Sequence, residues 1–134
     1  MTHYPNQPDL AEDEFGIAPH TDTSFLTLLA PNEIPGLSIR TQAGKWIDAP
    51  AIPGAFVVNG GQLLQRWTND YFLATPHRAV NRSGGERYAL AFLLRQQYRL
   101  AGGCRTDLRR AGQPAQIPDD VLYGVHDPLP AADL

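Results

Sequence analysis

Cysteine is nearly missing from this chain. Cys104 is the only one in 134 residues, which excludes an intrachain disulfide framework and is compatible with a reducing compartment. Long apolar runs are missing too: no stretch approaches the ~20 residues of a membrane-spanning helix. The opening MTHYPNQPDL lacks the basic-then-apolar order of a secretory leader. These absences predict a soluble, cytoplasmic protein with no membrane contact. An excess of one charge is also lacking. The 11 basic and 14 acidic residues give a formal charge of −3 and are interspersed, so the chain carries no electrostatic footprint of a nucleic-acid binder. The short basic cluster Arg105–Arg110 reads as solvated surface. Asn81-Arg82-Ser83 matches a glycosylation acceptor pattern, but so short a match arises often by chance. There is no internal repeat and no low-complexity tract.

What is present is a hydrophobic fraction of 43%, enough for one domain with a real core. Twelve prolines and twelve glycines cut the chain into short segments rich in β-branched, aromatic and leucine residues. Strands are predicted over Thr2–Tyr4, Thr21–Leu29, Leu37–Arg40, Lys45–Ile47, Ala55–Val58, Leu63–Trp67, Phe72–Ala74, His77–Asn81 and Arg87–Leu94. Between them lie turn-forming pairs such as Pro35-Gly36, Ala43-Gly44, Pro53-Gly54, Asn69-Asp70 and Gly84-Gly85. This spacing predicts an all-β sandwich or barrel. After Leu94 the pattern fades. Residues 1–94 are read as the core and 95–134 as an irregular C-terminal extension, packed or loose, whose one helical candidate is Asp119–Tyr123.

Within the apolar stretch FGIAPHTDTSFLTLL, His20 and Asp22 stand two apart. On an extended strand, residues i and i+2 share a face, so an imidazole and a carboxylate would project side by side. Alone, H-x-D is a weak signal. A third ligand is expected from a histidine on another strand, and His77 opens HRAVN after 54 intervening residues, room for several strands and an antiparallel return. Two histidines and one carboxylate on one face of a metal leave the opposite face open, as in non-haem iron(II) oxygenases. His3 and His126 read as solvent-facing.

His20-Thr21-Asp22, then HRAVN, then RYALAFLL resembles the signature of the iron(II)/2-oxoglutarate-dependent dioxygenases, in the branch similar to isopenicillin N synthase. The family pattern is H-x-D, a distal His about fifty residues on, and R-x-S about ten residues later. Further matches are His3-Tyr4-Pro5, Phe25–Leu29 and the stretch from Gly36 to Asn69. The resemblance implies a double-stranded β-helix, or jelly roll, with iron(II) held by His20, Asp22 and His77. It further implies that Arg87 pairs with the distal carboxylate of 2-oxoglutarate, with which Tyr4 is also in contact, and that dioxygen is the second cosubstrate. A planar guanidinium suits that role because it offers two parallel, charge-assisted hydrogen bonds. The implied reaction oxidises a C–H bond of a small organic substrate by hydroxylation, desaturation or ring closure, with release of succinate and carbon dioxide; the substrate itself stays open. Face-sharing is expected to run His20, Asp22, Ser24, Leu26, Leu28 on one strand and Arg87, Ala89, Ala91, Leu93 on another.

Two departures stand out. Ala89 replaces the family serine, removing one hydrogen bond to the cosubstrate and leaving open weaker binding or a different cosubstrate. Met1 stands almost on the tyrosine motif, where relatives carry a long preceding region, so the chain is read as a fragment or a minimal core. Without that cover, the core is expected to self-associate or to need a partner. The rival readings are a non-catalytic metal-binding jelly-roll module and an oxygenase or oxidase that does not use 2-oxoglutarate. Trp46, Trp67, Phe56, Phe72 and Phe92 are expected in the core.

Overall fold

The computed structural model describes residues 1–6, 14–30, 32–95, 112 and 114; the helical candidate at 119–123, His126 and Cys104 lie outside the described residues. Nine strands and one short helix are described: β1 (Thr2–Tyr4), β2 (Ile17–His20), β3 (Leu26–Leu29), β4 (Leu37–Arg40), β5 (Trp46–Asp48), β6 (Val57–Gly60), α1 (Gln62–Trp67), β7 (His77–Ala79), β8 (Arg87–Ala89) and β9 (Ala91–Leu94). All pairings are antiparallel, in sheets of order β1-β8, β6-β3-β9 and β2-β7-β4-β5. Only Leu90 separates β8 from β9, and its carbonyl accepts from Ala30 N. The two smaller sheets are therefore one face of the fold. The chain crosses repeatedly between this face and the four-stranded sheet, which is the jelly-roll arrangement.

Three sequence expectations are corrected here. The predicted strand over Thr21–Leu29 is two pieces of structure: β2 ends at His20, a turn occupies residues 21–25, and β3 starts at Leu26. The turn resets the alternation. Thr27 and Leu29 face inward with His20 and Asp22, while Leu26 and Leu28 belong to the opposite row. The second expected face holds: Arg87, Ala89, Ala91 and Leu93 all line the interior.

The predicted strand at Leu63–Trp67 is the helix α1, and Phe72–Ala74 forms no strand. Six residues cannot sustain a helix alone. Its first N–H groups instead capture carbonyls of the turn, Gln62 N donating to Asp22 O (2.7 Å) and Leu63 N to Ser24 O (3.4 Å). Leu64 packs on Gly60 and Trp67 on the Phe25 ring at 5.4 Å. Past the helix, Asn69 (φ 51°) and Asp70 (φ 63°) take the left-handed conformation that Asn and Asp tolerate best among residues with a side chain.

The third correction concerns the core. Among the described residues its fully buried apolar members are Tyr4, Ala79 and Ala89, with Leu29 packed against them. Phe56, Phe72 and Phe92, expected inside, are more than half exposed. The inward rows of the two sheets line open space rather than closing on each other, and in the outward row Val58, Leu28, Phe92 the two flanking side chains are largely exposed with Leu28 half-buried between them. On the four-stranded sheet Arg78 provides cover, its guanidinium lying over the rings of Trp46 (4.4 Å) and Phe15 (5.4 Å).

Candidate functional site

His20 and His77 sit directly opposite each other on β2 and β7. The register slips between Ile17 and His20, so three residues on β2 span what two span on β7. That β-bulge matters. Ile17 and His20 are an odd number apart and would point to opposite faces of a regular strand, yet both line the interior; a bulge re-aims a side chain in this way. The two rings lie 4.3 Å apart at 56°.

Each ring is oriented from behind. Nδ1 of His20 donates to Ala18 O (2.8 Å) and Nδ1 of His77 to Thr75 O (3.1 Å). A carbonyl only accepts, so the proton is on Nδ1 and the Nε2 lone pair is free to bind a metal. Asp22 comes from the turn after β2, not from strand alternation as its spacing suggested. Its Oδ1 lies 3.8 Å from His20 Nε2 and 3.7 Å from His77 Nε2. Its Oδ2 accepts from Thr27 Oγ1 (2.6 Å) and Asn59 Nδ2 (3.0 Å), and Ser24 Oγ bonds Thr27 Oγ1 in turn.

These donors fit a first-row divalent ion. Metal–ligand bonds of about 2.0–2.2 Å allow two donors on one ion to be up to ~4.4 Å apart; the two carboxylate–imidazole separations, 3.7 and 3.8 Å, fall inside that limit, and all three donor atoms lie within 4.8 Å of one another. Two neutral imidazoles and one carboxylate suit iron(II) and leave positions for other ligands. The complex would keep a net positive charge and so favour an anionic chelator. Sequence reasoning missed Thr27 and Asn59. The first lies hidden in an apolar run and the second falls within the matched stretch from Gly36 to Asn69 without being singled out. A polar residue ending the run Phe56-Val57-Val58 was the available signal for Asn59.

Gly61 locks the turn that carries Asp22. A Cβ there would lie 1.9 Å from Ser24 O and 3.0 Å from Asp22 O, closer than any side chain permits, so only glycine lets α1 approach the turn closely enough to hold it.

Arg87 opens β8 and is only 3% exposed. Its guanidinium lies 4.9 Å over the Tyr4 ring, and Nε donates to Ile34 O (3.3 Å). Among the described residues no carboxylate lies within ion-pair distance of it. Gly36, at φ 147°, makes room: a Cβ there would meet Val80 O at 2.5 Å and the Arg87 stem at 3.1 Å. Asn81 ties the segment leading to Arg87 onto β1. Its Nδ2 donates to Tyr4 O (2.9 Å), Pro5 O (3.1 Å) and Gly85 O (2.8 Å). The acceptor-like Asn81 is thus buried and committed to these bonds, which rules it out as a glycosylation site in the folded chain.

One cavity of about 330 Å³ joins the two ends, bounded by His20, Asp22 and His77 at one and by Tyr4 and Arg87 at the other, with Leu29, Leu37, Ile39, Val57, Ala91 and Leu93 between. A second space of about 240 Å³ lies beyond Arg87, walled mostly by apolar residues from the 49–56 loop and β4. His3 faces outward, paired with Glu86 and stacked on Tyr88.

Comparison with known proteins agrees with this geometry. The model of the 2OG-Fe(II) oxygenase superfamily matches residues 1–96. A 2-oxoglutarate-Fe(II) type oxidoreductase of Emericella nidulans is 34% identical over 133 residues, 94% of this chain and 38% of that protein. Among solved structures, a full-length Neurospora crassa protein in complex with alpha-KG and thymine superposes with a TM-score of 0.65 at 32% identity, over 69% of this chain and 31% of that one. JOX2 in complex with 2OG, Fe and JA gives a TM-score of 0.75 at 30% identity, over 87% and 34%. The chain thus spans under two fifths of the length of these relatives.

Proposed function

This chain belongs to the 2OG-Fe(II) oxygenase superfamily, and from that premise we propose that it binds iron(II) through His20, Asp22 and His77 and uses 2-oxoglutarate and dioxygen to oxidise a C–H bond of a small organic molecule. One observation carries the reading: a buried guanidinium with no acidic partner among the described residues faces the same cavity as three converging metal-ligand atoms. A space with a metal site at one end and a cation at the other suits a dicarboxylate that reaches both.

When bound, iron(II) supplies the oxidising chemistry, in which substrate, dioxygen and 2-oxoglutarate give oxidised product, succinate and carbon dioxide. The chain's own residues do the positioning. Ala18 and Thr75 carbonyls fix the imidazoles, and Thr27 and Asn59 hold Asp22 so that one oxygen points at them. Arg87 takes the distal carboxylate through its terminal nitrogens, pressed into place by the Tyr4 ring, whose hydroxyl is the second contact. The apolar walls keep water from the reacting bond.

The finer parts of the proposal rest on separate supports. The order of motifs supports the branch similar to isopenicillin N synthase. The end of the family match at residue 96 supports a core at 1–94 and an extension at 95–134. A reducing, cytoplasmic setting would keep iron ferrous and Cys104 a thiol; among the described residues no helix is long and apolar enough to cross a membrane. The exposed Val58 and Phe92 on either side of Leu28 support self-association or a covering partner, and a strictly monomeric species in sedimentation at micromolar concentration would count against it.

The test is anaerobic titration of the chain with iron(II) and 2-oxoglutarate, followed by the weak visible charge-transfer band of the chelate, then succinate release in air. A band at one equivalent is expected. Iron binding without a band would favour the reading as a metal-binding module or an oxygenase with another cosubstrate, for which the absent hydroxyl at Ala89 is the motivating observation.

A further inference from the structure

We infer that Thr2 supplies a further hydroxyl contact to the cosubstrate's distal carboxylate, beside that of Tyr4, from the strand opposite the one that carries Arg87. The inference rests on the cosubstrate reading above and deepens it. In the β1–β8 ladder Tyr4 pairs with Arg87 and Thr2 pairs with Ala89. All four line the cavity, so the two rows form one patch of wall: guanidinium and aromatic ring in the first, hydroxyl and methyl in the second. Directly paired residues on one face stand about 4.5–5.5 Å apart at Cβ.

The chemistry of the patch follows. A carboxylate presents two oxygens and about four acceptor sites, more than one guanidinium edge satisfies. The Tyr4 ring covers one face of the guanidinium, and Ala89, buried at 6% exposed, offers only a methyl. Thr2 is the one side chain in the second row with a donor, and no acceptor among the described residues takes its hydroxyl. Ala89 leaves space at this point of the wall, and Thr2 stands exposed at the cavity rim directly across the ladder from it. Thr2 and Ala89 are therefore a matched pair: a hydroxyl on either strand serves the same carboxylate.

The experiment measures 2-oxoglutarate affinity of the full iron(II)-loaded chain, anaerobically, for the parent, Thr2→Val, Ala89→Ser and the double variant Thr2→Val/Ala89→Ser. Valine keeps the β-branched shape and the backbone ladder while deleting the hydroxyl. Thr2→Val is expected to weaken 2-oxoglutarate binding about 5–10-fold, the size of one hydrogen bond of ordinary strength, with iron affinity and thermal midpoint unchanged. Adding Ala89→Ser is expected to restore most of the loss. Binding of 2-oxobutanoate, which lacks the distal carboxylate, should be equal in parent and Thr2→Val; this separates a carboxylate contact from a general loosening of β1. Equal 2-oxoglutarate affinity in parent and Thr2→Val, no rescue by Ala89→Ser, or a parallel loss for 2-oxobutanoate each overturns the inference alone. A parent that binds iron but no 2-oxoglutarate overturns the cosubstrate reading and this inference together.

Discussion

At one end of the cavity, three ligand side chains are each held from behind by hydrogen bonds to protein. At the other, a guanidinium that is almost wholly buried makes one hydrogen bond among the described residues, through Nε to Ile34 O, and keeps its terminal nitrogens for something else. The metal end is a closed network in which Asp22 alone engages Thr27 and Asn59 by its side chain and Gln62 by its carbonyl. The anion end is packed rather than bonded: Tyr4 beneath, Gly36 beside, Asn81 tying the approach. The difference follows the ligands. A metal ion demands donors fixed to tenths of an ångström, whereas a carboxylate brings its own acceptors and needs only a desolvated cation waiting for it.

The comparison breaks most sharply if Asp22 is removed. Asp22→Ala should raise the dissociation constant for iron(II) by more than the about 10–100-fold that loss of a supporting partner costs, read by titration with a competing chelator. Retention of tight stoichiometric iron would sink the assignment. Arg87→Ala comes next and should divide the two ends: iron affinity stays, while 2-oxoglutarate binding weakens about 10–100-fold, as for losing about 1.5–3 kcal/mol of charge-assisted hydrogen bonding. Arg87→Lys should recover only part, because an ammonium lacks the two-pronged geometry. Equal losses of iron and cosubstrate in Arg87→Ala would mean that the two ends are one structural unit.

How far each end could be read from the sequence differs for the same reason. His20, Asp22, His77 and Arg87 are chemically loud residues in a spaced pattern, and the structure brings all four to one cavity. What the pattern could not reveal is how they arrive. Two apart on an assumed strand, His20 and Asp22 looked like neighbours by alternation. In the structure a bulge turns His20 inward and a turn delivers Asp22. The segment Leu63–Trp67 looked β-like because leucine and tryptophan suit both states at short length. It is helical because its orphan N–H groups meet the carbonyls of that turn, a tertiary contact across some forty residues that no local propensity contains. Hydrophobicity alone puts Phe92 inside but does not distinguish the two faces of a sheet, and Phe56 and Phe72 lie outside the strands, where no alternation assigns them a face.

Asn59 sharpens the comparison on a smaller scale. It is not one of the three metal ligands, yet donates to the far oxygen of Asp22 at 3.0 Å. Asn59→Ala should weaken iron binding about 10-fold, the low end for a supporting residue, because Thr27 still holds the same oxygen. Thr27→Val combined with Asn59→Ala should cost more than the sum of the two in free energy, since either partner alone fixes the carboxylate. Strict additivity would show that the two bonds act independently and that the network is not closed.

The smallest expected effect lies on the outside of the anion end, where His3 pairs with Glu86, the residue before Arg87. The hydrogen bond from His3 holds the Glu86 carboxyl below its ordinary value, opposed by desolvation and helped to a lesser degree by a backbone bond from Asn6. A carboxyl lowered in the folded state stabilises the fold above its unfolded value, and that contribution disappears as pH falls through the folded one. The pair is exposed and screened by solvent, so its contribution is small. His3→Ala should return the Glu86 titration, followed by carbon-13 NMR, toward the ordinary glutamate range, and the slight difference in thermal midpoint from the parent should vanish in acid. Iron and 2-oxoglutarate affinities should not move, because the pair sits on the face of the β1–β8 ladder opposite to Tyr4 and Arg87. A drop in 2-oxoglutarate affinity in His3→Ala would instead mean that packing alone does not hold Arg87, and that the anion end depends on a clasp outside it much as the metal end depends on Thr27 and Asn59.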